Sequence, residues 1–359
     1  MGLKKKFKAY AYNSNDKKVS CALFLCWIIA LWIFVLQKPQ ENIITEANHQ
    51  AKFTKLRKGS ELRRFDYIVS FGDGASDTGN YYKISKGKSD RSSVKATKRF
   101  CEGKVWVDHL SDAFGARSIN NAYGFATVNR LWITHENRDY IPGLKQQVEK
   151  FAMEAVDNLL PSNETLYTIW AGSNDLIGIS TEEYYKKQPD FTIGDVLGDI
   201  AQSIAIDNYI PPMCNKYDVL NNLLINHPNI QAKNILVLSV IPMEHAPLLK
   251  QIPEGMKDMV IKNVNIINKI YASRLKGFID NKKLNFVFYD AHKYLGDIYK
   301  NYEKYGLHHV EYPCIASPRR RCRSPSEFFW YDLLHIGSTG HLFMALDLIK
   351  SEYSDAVVA

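Results

Sequence analysis

Asp332 and His335 stand three residues apart near the end of the chain. At that spacing a carboxylate reaches an imidazole within one turn, fixes its tautomer and steadies the imidazolium. The imidazole is then a base poised near neutral pH. Ester hydrolysis needs such a base, a nucleophile for it to deprotonate, and donors for the oxyanion. Far upstream the apolar, β-type run Tyr67–Phe71 passes into Gly72-Asp-Gly-Ala-Ser-Asp-Thr-Gly-Asn80. A strand ending in a sharp, Gly-rich turn is where α/β hydrolytic folds display a nucleophile. A phosphate-binding loop is the competing reading of these glycines, and it fails. The spacing matches neither common phosphate loop, and the turn holds no Lys or Arg while Asp73 and Asp77 would repel phosphate. Those two carboxylates are expected to satisfy backbone N–H groups within the turn.

The decapeptide Phe71–Asn80 resembles the first block of the GDSL, or SGNH, hydrolase family, which reads Gly-Asp-Ser-x-Ser-Asp-x-Gly-Asn. Three further blocks follow in the family's order. Asn120-Asn-Ala-Tyr-Gly124 is similar to the second, Trp170-Ala-Gly-Ser-Asn-Asp175 to the Gly-x-Asn-Asp block, and Asp332-Leu-Leu-His335 to the last. Gly103-Lys-Val-Trp-Val-Asp108 and Pro142-Gly-Leu-Lys-Gln-Gln-Val148 match flanking pieces, so the resemblance spans about residues 65–350. It implies that His335 is the base, Asp332 its orienter, and Gly74, Gly124 and Asn174 the oxyanion donors. It also implies a nucleophilic serine at position 74, where this chain carries glycine. Phe125 stands where the second block often has another glycine. Ser76 is a family feature beside the true nucleophile, so it is expected to be structural.

Elements that could position these residues alternate from Phe65 onward. Strands are predicted over Tyr67–Phe71, Leu166–Ala171, Ile235–Ile241 and Phe286–Tyr289. Helices are predicted over Trp106–Phe114, Gly143–Leu159, Ile193–Tyr209, Met256–Asp280 and His341–Glu352. Alternation of this kind argues for an α/β domain with a parallel sheet covered on both faces. The resemblance narrows it to the three-layer α/β/α, flavodoxin-like SGNH fold over residues 65–355. Tyr294–Pro325 reads as a long excursion of the kind that shapes a substrate cleft.

Charge and cysteine place the domain. The formal net charge is +8, and residues 1–60 hold 11 basic against 3 acidic side chains, leaving the remainder neutral with 35 of each. No broad polyanion-binding face is implied, so a nucleic-acid partner is excluded. Arg319, Arg320, Arg321 and Arg323 read as a solvated basic loop. Val19–Leu36 carries no charge and follows a Lys-rich tail, residues 1–18. Eighteen helical residues span about 27 Å, near the thickness of a thin bilayer. Basic residues on its amino side keep that side cytoplasmic. The expectation is an uncleaved signal anchor, a stem over 37–64, and a type II membrane protein whose domain is lumenal or extracellular. Secretion after signal cleavage is the competitor. Cys101, Cys214, Cys314 and Cys322 would then lie in an oxidising compartment. Cys314 and Cys322 bracket a short loop that a disulfide could close, which leaves Cys101 and Cys214 as a residual pair. Asn163-Glu-Thr165 is a glycosylation acceptor on that side of the membrane. The cysteines form no zinc pattern, and no metal or cofactor is expected.

Three functions remain in view. The first is an ester hydrolase homologue, impaired at Gly74, that binds an acyl or acetyl ester of lipid or glycan. The second is an active esterase using activated water or another serine. The third is a non-enzymatic interaction protein whose cleft is filled by side chains such as Phe125, Trp132 or Tyr331.

Overall fold

Five short strands form a parallel sheet in a computed structural model that describes residues 65–88, 92–130, 138, 140–155, 159–186, 224–317 and 320–353. The strands are β1 (Tyr67–Gly72), β2 (Arg117–Asn120), β3 (Thr165–Trp170), β4 (Asn234–Leu238) and β5 (Asn285–Tyr289). Their order is β2-β1-β3-β4-β5, and every neighbouring pair is parallel. Every residue of β3 and β4 is buried, as expected where helices cover both faces of a parallel sheet. β2 was not among the predicted strands. It is one of the two edge strands, partly exposed along its whole length, and its sequence Arg-Ser-Ile-Asn has no apolar run to announce it.

The helices are α1 (Asn80–Ile84), α2 (Ser92–Thr97), α3 (Trp106–Phe114), α4 (Leu144–Glu154), α5 (Ser173–Lys186), α6 (Glu254–Ile279), α7 (Ala291–Lys300) and α8 (Ser338–Glu352). Side chains alternate across a strand, so residues an odd number apart face opposite sides. Trp170 meets Trp106 of α3 and His341 of α8, at centroid distances of 5.7 and 6.3 Å. Tyr167, three residues earlier, meets Phe151 of α4 at 6.1 Å. The sheet is thus a middle layer between two helical ones. α5 and α7 escape the sequence reading, and α4 ends five residues before the expected Leu159.

The excursion before the last helix carries a small antiparallel hairpin, β6 (Ile315–Ser317) with β7 (Arg320–Arg321), closed by a disulfide between Cys314 and Cys322. Cys101 is a buried free thiol, and Cys214 lies outside the described residues. So do the tail, the apolar run Val19–Leu36, the stem, and the helix expected over Ile193–Tyr209. Among the described residues no helix is long and apolar enough to cross a membrane.

Candidate active site

The carboxyl ends of β1 and β3 lie side by side, Gly72 opposite Trp170, and hold the first and third motifs against each other. Gly72 has φ +153, and a Cβ there would stand 2.1 Å from the Trp170 carbonyl oxygen. Only glycine allows that approach. Gln147 of α4 fastens the turn from the other side, accepting from the Gly72 amide and donating to its carbonyl, both at 2.9 Å.

Asp77 organises the turn that follows. Its carboxylate accepts the amides of Gly79, Asn80 and Tyr81 at 2.6, 2.6 and 2.9 Å, and that of Gly124 at 2.8 Å. The expected satisfaction of turn amides is therefore observed, with one consequence. The Gly124 N–H, which the resemblance aimed at an oxyanion, is directed into Asp77 instead. Ser76 is fully buried and accepts the Trp106 indole N–H at 3.0 Å, a structural position.

His335 and Asp332 come together as their spacing implies. The Nδ1 to Oδ1 distance is 2.8 Å, and the same oxygen accepts the amides of Leu334 and His335 at 3.0 and 2.9 Å. Burial alone would push the Asp332 carboxyl up. The adjacent His335 charge and these hydrogen bonds outweigh it and hold the group well below the usual carboxylate range.

Nε2 of His335 points at Gly74. A Cβ on Gly74 would stand 2.6 Å from that nitrogen and 3.2 Å from Cγ of Phe100. The ring therefore reaches into the volume that a serine side chain would fill. Phe100 closes the other side. Its ring lies 4.6 Å from the imidazole, and a Cβ on Gly124 would sit 2.0 Å from its Cε2. Tyr81 and Phe125 pack behind it at 5.5 and 5.6 Å. The space between Gly74 and Gly124 is thus aromatic. Nothing among the described residues accepts from the Gly74 amide.

What stays open lies beside His335, next to the residues flanking Gly74. A shallow cleft of about 20 Å³, open to solvent, is lined by Asp73, Ala75, Ser173, Asn174, Ile241, Leu334, His335 and Ile336. Asn174, in the first turn of α5, donates from Nδ2 to the Ala126 carbonyl at 3.0 Å. That amide group has a second hydrogen. Asp73 is 5% exposed, and burial raises its carboxyl to about 6. Asp175 is held beneath by the Val128 amide, 3.0 Å from each oxygen, and burial raises it to about 7.

Of the predicted site residues, His335, Asp332 and Gly74 meet, Asn174 shares the cleft with His335, and Gly124 is walled off by Phe100. Phe100, against the imidazole, and Asp73, lining the cleft, were not among the predicted site residues. Phe100 lies in no motif, so only the folded arrangement reveals it. Of the side chains expected to plug the cleft, Tyr331 packs instead on the disulfide hairpin beside Cys314 and Ile315, and Trp132 lies outside the described residues. Among the described residues no group of His, Cys, Asp or Glu is arranged to hold a metal ion.

Comparison with known proteins points to the same family. A phosphatidylcholine-sterol acyltransferase of Aeromonas hydrophila is 26% identical over 226 residues, covering 59% of this chain and 61% of the relative. The chain therefore spans less than two thirds of that protein's length. A GDSL esterase/lipase of Arabidopsis thaliana is 21% identical over 335 residues, covering 79% of this chain and 87% of the relative. Among solved structures, an extracellular lipase from Streptomyces rimosus aligns with 16% identity and a TM-score of 0.43, covering 80% of this chain and 99% of that one. The model of the GDSL-like lipase/acylhydrolase family matches residues 68–348, most of the chain, and the protein belongs to that family.

Proposed function

We propose that this protein is a membrane-anchored ester hydrolase homologue that binds acyl or acetyl esters of lipid or glycan and has lost the covalent, acyl-enzyme route. One observation carries the reading: position 74 is glycine, and His335 Nε2 sits 2.6 Å from where a serine Cβ would stand. With no hydroxyl at position 74, and Ser76 buried against the Trp106 indole, no acyl-enzyme forms. In another Ser-His-Asp hydrolase, removing the serine lowers turnover by about 10⁶ and leaves ~10³–10⁴ over water. The cleft supports ligand binding, having a polar half at Asp73, Ser173, Asn174 and His335 and an apolar half at Ala75, Ile241, Leu334 and Ile336. The Aeromonas relative, named for phosphatidylcholine and sterol, supports a lipid acyl group as one ligand class.

The topology belongs to the same proposal. Val19–Leu36 anchors the chain with its amino-terminal tail in the cytoplasm, and the domain lies in the lumen or outside the cell. The Cys314–Cys322 disulfide and the exposed Asn163 support that side of the membrane.

Mixing the full-length chain with p-nitrophenyl acetate in a stopped-flow instrument tests the central claim. The expected trace is a slow linear release of nitrophenolate from time zero. An initial burst equal to the enzyme concentration, and lost in His335→Ala, would sink the reading, because a burst reports an accumulating acyl-enzyme.

A further inference from the structure

Four buried carboxylates surround this site, and their hydrogen bonds separate them. Asp77 is saturated by four backbone amides. Asp332 is committed to the imidazole and two amides. Asp175 gives both oxygens to Val128 and does not line the cleft. Asp73 alone of the four lines the cleft, and only its Oδ1 is engaged, by the Ala75 amide at 3.1 Å. A carboxylate with spare acceptor capacity, facing a cleft beside an amide donor and an imidazole, is placed to take a proton from water.

We infer that Asp73 is the general base of a direct, single-displacement ester hydrolysis in this cleft, with His335 as the general acid. The inference rests on the ester-binding reading above and names what that site does without a serine. Asn174 directs its second Nδ2 hydrogen to the substrate carbonyl. Water oxygen bonds to the carbonyl carbon as one of its protons passes to the Asp73 carboxylate, and the displaced π pair moves onto the carbonyl oxygen. When that pair returns, the ester C–O bond breaks. The leaving oxygen takes the Nε2 proton of the His335 imidazolium, which Asp332 steadies. The products are a carboxylic acid and an alcohol. Solvent then carries the proton from Asp73 back to His335. In a serine hydrolase of the family the same histidine acts first as base. Here position 74 offers it no hydroxyl, so the acid half of that role is what remains. A base whose carboxyl titrates near 6 is ionised at neutral pH and still takes protons well. The charges acting on Asp73 are His335 from the last motif, Asp77 from its own turn and Asp175 from α5.

The test pairs two acetate esters with two variants of the full-length chain. p-Nitrophenyl acetate has a leaving group that needs no acid, and ethyl acetate has one that does. Asp73→Asn is expected to lose about 100-fold in kcat on both esters, with KM unchanged. His335→Gln is expected to lose a similar factor on ethyl acetate and far less on the p-nitrophenyl ester. The parent's kcat/KM is expected to fall below pH 6. A parent profile that stays flat from pH 5 to 8 overturns the inference without any variant, so it stands or falls even if Asp73→Asn does not fold. His335→Gln losing as much as Asp73→Asn on the p-nitrophenyl ester makes histidine the base and overturns it, while the ester site survives. A parent no faster than buffer also overturns it. Calorimetry with 4-nitroacetanilide, the amide counterpart, then decides the wider reading: saturable binding keeps the ester-binding site, and no binding removes that as well.

Discussion

Serine has two heavy atoms more than glycine, and at position 74 the first of them would stand 2.6 Å from His335 Nε2. The imidazole cannot simply swing away, since Asp332 holds its Nδ1 at 2.8 Å and Phe100 lies against its face at 4.6 Å. Glycine here is therefore part of a repacked arrangement, and the alteration extends beyond one missing hydroxyl. Gly74→Ser alone is expected to bring no burst of nitrophenolate and to destabilise the fold by about 1–3 kcal/mol, the usual range for overpacking. Adding Phe100→Ala gives the imidazole room to retreat, and the double variant is expected to hydrolyse p-nitrophenyl acetate faster than Gly74→Ser. Thermal unfolding and stopped-flow kinetics on the two variants check both halves. A burst from the single variant would show that the ring yields more easily than its contacts imply.

Among the elements, the turn between β1 and α1 is held chiefly by one side chain. Asp77 satisfies the first amides of α1 and reaches across to Gly124, which joins the first motif to the second. Removing it leaves buried amides without acceptors, at about 1–3 kcal/mol each. Asp77→Ala is expected to cost at least about 3 kcal/mol in urea denaturation. A loss below about 1 kcal/mol would mean that water replaces the carboxylate freely. Much of this framework was legible in the sequence because β1, β3, β4 and β5 are apolar runs whose residues must be buried. The motifs were legible through their residue types and their order along the chain, which resemble the family's blocks. β2 was hidden because it is partly exposed along its whole length and carries Arg117, Ser118 and Asn120, whereas the other edge strand, β5, is apolar. The fate of the Gly124 amide was hidden too. Glycine at that position is compatible with an oxyanion donor, and nothing local tells that Asp77, 47 residues earlier, claims the hydrogen. Asp73 satisfies a turn amide as expected, that of Ala75, but one amide against the four on Asp77 leaves it more open to the cleft it lines.

At the scale of the whole molecule, the parallel sheet gathers its chemistry at the carboxyl ends of its strands, where β1 and β3 adjoin. Asn163 lies away from it, exposed in the turn leading into β3, with its backbone carbonyl accepting from Asn234 Nδ2 at 3.1 Å. A glycan there would project from the surface. Expressed in a eukaryotic secretory pathway, the full-length chain is expected to lose about 2–3 kDa on endoglycosidase treatment, the mass of one core glycan. Asn163→Gln is expected to migrate like the treated parent. A parent whose mobility the glycosidase leaves unchanged would place the domain on the other side of the membrane or leave the acceptor unused. The closing of Phe100 and His335 over Gly74 also bears on descent. A lineage that carried serine at this turn could lose it in one codon change, since glycine leaves a vacancy that neighbouring rings can occupy. Once they have done so, the reverse codon change meets those rings first and passes through a less stable protein. Loss is then easier than return, and the packing around one glycine acts as a ratchet on the history of the site.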